Sequence, residues 1–443
     1  MTNPILAAVV MAAGLGTRMR SDLPKHLHPL LGRRVVDWVL FAVHELRPAR
    51  TILVVAPDMA DDLDGVEIAV QAEPRGTADA VAAARSALAG FDGDVLVVDG
   101  AAPLLTAELL QSLVDEHRRE GAAVTVLSFV PDHLLPYGRI VRNVDGALQA
   151  IVEDREATAD QLEIRELNSS IYVFDAVALW EALAQVRPDN DQSELYLTDT
   201  VEYIVASGKK AAVYRSPDPV APIGVNTRAE LAAAGSVLRD RINEQHMLEG
   251  VTIVDPASTW IEASVELEPD VVVHPFTVLR GETRVARAAE IGSHTVVVDA
   301  VIGSGATLGP FCYVRPGTVL EGETKAGTFV EIKNSRIGAR AKVPHLSYIG
   351  DADVGEDTNV AAGNITANFS HRPGVPKGRT TIGRNVRTGV DNTFRAPVTV
   401  GDDAWIFPGT VITEDVPAGA LAGFPSRQIT KEGWVYERGS NDD

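Results

Sequence analysis

The chain has 443 residues, enough for two or three domains with buried cores. Its formal net charge of −21 gives a surface that repels nucleic acid and anionic membrane, leaving small anionic ligands gathered by local donors. Aromatic residues make up only 5%, which argues against an aromatic-rich sandwich, and the one cysteine, Cys312, excludes an intrachain disulfide and fits a reducing, cytoplasmic compartment.

Residues 4–13, PILAAVVMAA, are apolar but lack a basic leader, and a glycine loop follows at once. They read as a strand and not as a signal peptide. No apolar run approaches the roughly 20 residues of a membrane helix. Further Val/Ile/Leu-rich runs predict strands over 5–12, 51–56, 66–71, 94–99 and 122–129. Between them lie amphipathic segments at 35–46, 77–89 and 105–118; in the first, Val35, Val39, Ala42 and Leu46 share one face. This β-α-β alternation predicts a mainly parallel sheet with helices on both faces. Residues 227–247 predict one longer helix, suited to a linker.

From about residue 251 helical periodicity vanishes and a six-residue beat begins. Leu267, Val273, Leu279, Val285, Ile291 and Val297 stand six apart; after a one-residue slip come Ile302, Leu308, Val314 and Leu320, and later Val400, Ile406 and Ile412. One aliphatic every six residues places one inward side chain on each short strand of a coiled prism, a hexapeptide parallel β-helix. A glycine often follows the aliphatic, as at Ile291-Gly292, Ile337-Gly338 and Val354-Gly355, and is expected to let the chain turn each corner. Residues 368–379, NFSHRPGVPKGR, predict a loop ejected from the coil. The flat faces of such a coil commonly pack against copies of themselves, and a homotrimer is the expectation. The boundaries that follow are 1–226 for the α/β domain, 227–250 for the linker helix, 251–435 for the β-helix and 436–443 for a tail.

The loop Gly14-Leu15-Gly16-Thr17-Arg18-Met19 is neither a dinucleotide fingerprint, because Met19 occupies the third glycine position, nor a Walker loop. A glycine-rich turn after the first strand of a parallel sheet still presents N–H groups to phosphates. The string MAAGLGTRM…SDLPK resembles the signature of the sugar-nucleotide pyrophosphorylases. QAEPRGTADA, YGRIVR, IVEDREAT, ELNSSIYVF and GVNTRAEL continue the match in order. In the repeat half, RPGTVLEG, FVEIKNSRIG, HLSYIGDADVG and KEGW extend it. Together they are similar to the bifunctional N-acetylglucosamine-1-phosphate uridyltransferase/glucosamine-1-phosphate acetyltransferases, from about residue 5 to 434.

The resemblance implies a Rossmann-like α/β nucleotidyltransferase domain followed by a left-handed parallel β-helix acyltransferase domain. It implies acetyl transfer from acetyl-CoA to glucosamine 1-phosphate, then uridyl transfer from UTP with release of pyrophosphate and use of Mg²⁺. By the same resemblance, Ala12, Ala13, Gly14, Gln71, Gly76 and Thr77 line the nucleotide, and Arg18 and Lys25 neutralise phosphate charge. Gly138, Glu153, Asn168 and Asn226 hold the sugar, Asn226 also matching a magnesium ligand. His345 matches a general base that takes a proton from the attacking amine. Arg315 and Lys333 match sugar-phosphate ligands, and Tyr348 and Asn359 match sugar-orienting groups. Asn368 and Lys377 match residues near the acetyl donor.

Several positions depart from the family pattern. The family's metal-binding aspartate aligns with Ala101; Asp99, two residues upstream, faces the same side on an extended strand and substitutes only if the ligand set shifts by roughly 6 to 7 Å, while Asp99-Gly100 also reads as a plain strand-ending turn. LNSSI replaces Asn-Thr-Gly, placing Ser170 where glycine allows close approach. Pro344 precedes the histidine, and Val390 and Pro408 stand where small residues flank acetyl-CoA. Two further readings of the same strings therefore stay open: a diverged paralogue with impaired uridyl transfer, and a non-catalytic trimer that binds sugar nucleotides.

Overall fold

The computed structural model describes residues 5–62, 66–190, 192–370, 374–424 and 428–437. Contacts divide the chain into two units, Met1–Leu238 and Arg239–Asp443, the division falling inside the helix Arg228–Leu248. No helix among the described residues is long and apolar enough to cross a membrane.

In the first unit the elements are β1 (Leu6–Ala12), α1 (Val35–Glu45), β2 (Arg50–Val55), β3 (Glu67–Val70), α2 (Thr77–Ala83), β4 (Asp94–Asp99), α3 (Ala107–Glu120) and β5 (Val124–Phe129). They continue as β6 (Arg139–Arg142), β7 (Leu148–Val152), β8 (Leu167–Asp175), α4 (Ala176–Leu183), α5 (Asp199–Ala206), β9 (Ala211–Arg215) and α6 (Arg228–Leu248). The main sheet runs β9-β5-β8-β4-β1-β2-β3. The period of two along β1 shows why the sheet is covered on both faces. Ala7, Val9 and Met11 enter one apolar cluster, and Ala8, Val10 and Ala12 enter another.

The five predicted strands are present within one or two residues. The sheet is mainly parallel, but β8 runs antiparallel to both β4 and β5. The hairpin β6–β7, paired antiparallel, reverses the chain before β8 enters the sheet. The predicted helix 77–89 is a correction: α2 ends at Ala83, where the Ala84 N–H turns to the Val81 carbonyl at 3.1 Å and isolated turns follow.

The second unit is the left-handed β-helix, its short strands stacked in three parallel sheets. The register climbs one coil at a time: Val273 pairs with Ile291, Ile291 with Leu308, Leu308 with Ala326 and Ala326 with Val343. The aliphatics of the six-residue beat are all buried in one continuous core. Cys312 lies in it too, and burial pushes its thiol up to about 12.

The role expected for the glycines holds at some positions and is corrected at others. Left-handed backbone is taken by glycines such as Gly281, Gly305, Gly309 and Gly317, and equally by non-glycine residues such as Phe276, His294, Phe311, Phe329 and Leu346. Glycines such as Gly338 sit where successive coils press together. A Cβ there would lie 2.6 Å from Glu356 N and 2.9 Å from Gly355 C, with Val354 O at 3.0 Å. Close approach therefore selects glycine at these positions, and turning does not. The ejected loop lies between Ala367 and Thr380, with residues 371–373 outside the described residues. Of the expected tail, 436 and 437 fall in the short helix Trp434–Glu437, and 438–443 lie outside the described residues.

Candidate functional site

The first unit carries its site at the carboxyl ends of β1 and β4, where parallel sheets place ligands. After Ala12 the chain passes into the glycine loop. Gly16 takes a φ of 62°, and a Cβ on it would come within 2.9 Å of Lys25 Cβ, so the loop folds tightly over that lysine. Lys25 stands on a single 3-10 turn, Lys25–Leu27, and its Nζ donates to Asn226 Oδ1 at 3.2 Å. Asn226 is fixed by the start of α6. The Asn226 and Thr227 N–H groups both donate to Glu230 Oε2 at 2.8 Å, and the Glu230 N–H donates to Thr227 Oγ1 at 3.2 Å. The Thr227–Glu230 pair is a capping box, and it is written in the sequence as TRAE.

These groups open onto a cavity of about 450 Å³ lined by Ala13, Gly14, Arg18, Lys25, Gln71, Gly76, Thr77, Asp99 and Asn226, all singled out from sequence. His26, Ser170 and Glu194 line it as well. His26 is buried, and that burial, reinforced by Lys25, holds its pKa well below the usual value, so the ring is neutral. Gln71 Nε2 donates to Gly76 O at 3.1 Å and to Asp79 Oδ2 at 2.9 Å, and Thr77 Oγ1 accepts the Leu197 N–H at 2.9 Å. Both side chains thus brace the wall. Ala12 is buried in β1 and pairs with Val55.

A second cavity of about 400 Å³ lies alongside, lined by Glu153, Asp154, Tyr172, Glu194, Tyr196 and Thr198 among others. Glu153 Oε1 accepts from Thr198 Oγ1 at 3.0 Å, and burial raises its pKa. Asn168 is buried; its Nδ2 donates to Tyr172 Oη at 2.8 Å and its backbone N–H to Gly138 O at 2.8 Å. Neither Asn168 nor Gly138 lines either cavity; Asn168 instead braces Tyr172, which does. The segment SELYLTDT, 193–200, supplies Glu194, Tyr196 and Thr198, which sequence reasoning missed; its polar residues carry no loop or repeat signature that would mark a site.

Asp99 is placed by a turn, and the extended-strand geometry expected for residues 99 and 101 is corrected. β4 ends at Asp99, the Gly100 N–H donates to Met11 O at 2.8 Å, and the Ala101 N–H returns to Asp99 Oδ1 at 3.0 Å. Ala101 is fully buried, and its carbonyl accepts the Val225 N–H at 2.7 Å. Nearby, Tyr137 Oη accepts the Gly224 N–H at 3.0 Å, and burial pushes that phenol up to about 12.

On the coil, the second set of residues shares an open face. His345 ends the strand Lys342–His345, Leu346 turns the corner at a φ of 49°, and Tyr348 begins the next strand. The imidazole is exposed and makes no hydrogen bond among the described residues. Tyr348 and Lys333 lie on paired strands, Lys333 beside Gly350, and Arg315 follows the strand one coil before, its N–H donating to Ile332 O at 2.8 Å. Arg315 Nη1 pairs with Glu331 Oε1 at 2.7 Å. Lys377 comes from the ejected loop, and its contact with Lys333 pushes its pKa down. Burial works against the Asp351 carboxylate, yet the Asn334 and Asn368 amides donate to it and hold its pKa below the usual range. Asn368 Nδ2 also reaches Tyr348 Oη at 3.5 Å. Asn359 bridges Lys342 and Arg387, so it stands beside Lys342 on the coil and not directly beside His345.

The α/β unit, with its glycine loop, cations and paired cavities at the strand ends, defines a nucleotidyltransferase, and residues 8–170 match the family model of the MobA-like NTP transferase domain. Over nearly its whole length the chain is similar to the "Bifunctional protein GlmU" of Corynebacterium efficiens, 45% identical over 98% of this chain and 94% of that one. The proteins of that name from Corynebacterium glutamicum and Mycobacterium tuberculosis are 44% and 43% identical, each over 98% of this chain and covering 94% and 92% of their own. The chain belongs to the GlmU family of bifunctional proteins.

Proposed function

We propose that the chain makes UDP-N-acetylglucosamine in two steps, acetyl transfer from acetyl-CoA to glucosamine 1-phosphate on the β-helix and uridyl transfer from UTP in the α/β unit. The observation that carries the second step is the convergence of the glycine loop, Arg18, Lys25, Asp99 and Asn226 on one cavity. A phosphate oxygen of the sugar phosphate attacks the α-phosphorus of UTP, and pyrophosphate leaves. Both partners are anions, so the step needs fixed cations. Arg18 and Lys25 supply them, and the loop N–H groups hold the polyphosphate. Glu153 and Thr198 face the sugar from the adjoining cavity.

The donor set suits a hard cation sparingly. Mg²⁺ is usually held through one or two carboxylates, with phosphates and water completing six ligands. Asp99 supplies one carboxylate and Asn226 one amide oxygen, while the buried Ala101 methyl supplies nothing. When bound, the ion would offset charge on the phosphate oxygens. A second reading, a family member slow in uridyl transfer, is favoured by that lean set and by Lys25 Nζ already resting on Asn226 Oδ1.

For acetyl transfer, the amine must be neutral to attack the thioester. His345 takes its proton, while Arg315 and Lys333 hold the sugar phosphate, Tyr348 and Asn359 orient the sugar, and Asn368 and Lys377 meet the acetyl donor. Along one corner of the coil, Phe276, His294, Phe311 and Phe329 stack at centroid spacings of 4.8, 4.7 and 5.4 Å, largely exposed. This apolar ladder favours a homotrimer in which a neighbouring copy covers the face carrying His345. The reading places the enzyme in the cytoplasm. Assaying the two half-reactions separately on one preparation tests it: thiol release from acetyl-CoA and pyrophosphate release from UTP are both expected. Absence of either removes that half.

A further inference from the structure

The two cavities of the α/β unit share a wall made by Met11, Thr17, Arg18, Thr77, Ser170 and Glu194. If a nucleotide fills one cavity and a sugar the other, the phosphate joining them must cross that wall. Arg18 is its only cation. Of its hydroxyls, Thr77 Oγ1 is occupied by the Leu197 N–H, and Thr17 sits exposed on the glycine loop. Ser170 differs from both. It is half-buried, its hydroxyl makes no hydrogen bond among the described residues, and its backbone stands at a φ of 62°, a region serine adopts at a cost. That conformation is held from both sides. The register of β8 against β5 shifts between Asn168 and Tyr172, and the Ser170 N–H donates to Asn168 Oδ1 at 3.2 Å. A bulge that holds a strained residue at a cavity wall aims its side chain.

We propose that Ser170 binds the phosphate linking sugar to nucleotide, its hydroxyl donating to a phosphate oxygen alongside Arg18. The assignment rests on the uridyltransferase reading of this unit. A hydroxyl bonded to a charged oxygen is worth about tenfold in affinity or more. Ser170→Ala keeps the Cβ and the backbone but loses the donor. It is expected to raise KM for N-acetylglucosamine 1-phosphate about tenfold, with KM for UTP changed much less. Ser170→Gly is expected to raise that KM similarly while melting at a higher temperature than wild type, because glycine enters the left-handed region freely.

An unchanged KM in Ser170→Ala overturns the phosphate contact. A KM below wild type in Ser170→Gly makes the side chain an obstruction and overturns it equally. Calorimetric titration of UDP-N-acetylglucosamine into the full chain separates the two layers of inference. If wild type binds it and Ser170→Ala binds it equally well, the contact is wrong and the uridyltransferase reading stands. If wild type does not bind it, both fall.

Discussion

The α/β unit gathers its candidate groups around cavities, whereas the coil spreads its own across an exposed face. The difference follows from how each architecture places side chains. In a parallel sheet the loops after several strands meet at one edge, so Lys25, Asp99 and Asn226 come together although 201 positions separate the first from the last. In a β-helix each coil adds a step above the last, so Tyr313, Glu331 and Tyr348 stack in one column and Lys333 stands two residues along, beside Gly350. The first unit lines its cavities with its own loops, whereas the second leaves His345 exposed on the coil.

The sharpest way to break this comparison is to silence one region and ask whether the other notices. His345→Ala removes the imidazole assigned as base and is expected to lower thiol release from acetyl-CoA by about 10³-fold, with pyrophosphate release unchanged. A coil variant that keeps its rate would remove His345 as the base. Asp99→Asn is the counterpart. It keeps the shape of the turn that accepts the Ala101 N–H but loses the one carboxylate at the end of β4. Pyrophosphate release is expected to fall roughly 10²-fold at fixed Mg²⁺, with a steeper requirement for the ion and thiol release intact. Equal magnesium titration curves for variant and wild type would show that the cation is held elsewhere.

Much of this was legible beforehand, for different reasons in the two regions. The coil was readable because its period is covalent: every sixth aliphatic must face inward, and Leu267 to Val297 do so without exception. What the period concealed was the reason for the glycines, since a contact between coils 17 or 18 residues apart leaves no local mark; Gly338 against Glu356 is such a contact. In the α/β unit the strands announced themselves, but α2 stopped early and β8 reversed because tertiary packing overrode the local pattern. Asp99 shows the limit most clearly. Counting along an extended strand put positions 99 and 101 on one side, whereas the other reading of Asp99-Gly100, a strand-ending turn, is the one found: the Asp99 carboxylate accepts the Ala101 N–H and Ala101 enters the core. Glu194 and Thr198 were invisible because a loop that returns to a site from 120 positions away carries no period at all.

Packing between coils gives a third, smaller effect. Gly338→Ala would drive a methyl against backbone atoms of the next coil, none of which can rotate away. Overpacking of this kind costs about 1–3 kcal/mol. The expected outcome is a lower melting temperature and loss of thiol release near it, with pyrophosphate release at low temperature preserved. Calorimetry with both assays reads this directly, and an unshifted melting curve would mean that the coils separate more easily than their spacing implies.

The smallest expected effect lies at the start of α5, where acidity of the fold itself is at stake. Asp199, at the first turn of α5, has its pKa pushed up to about 6, chiefly by burial and then by Glu202 and Glu156. A carboxyl whose folded pKa lies above its unfolded value binds its proton more tightly in the native state. Its contribution favours folding below the unfolded value of 3.8 and is lost as pH rises through about 6. The site is half-buried, so solvent reduces the effect. Asp199→Asn keeps the shape and removes the titration. It is expected to melt about 2 °C above wild type at pH 7.5 and to lose that advantage at pH 4. Melting curves of both proteins across that range decide it, and a difference independent of pH would place the cause in the helix terminus and not in the buried charge.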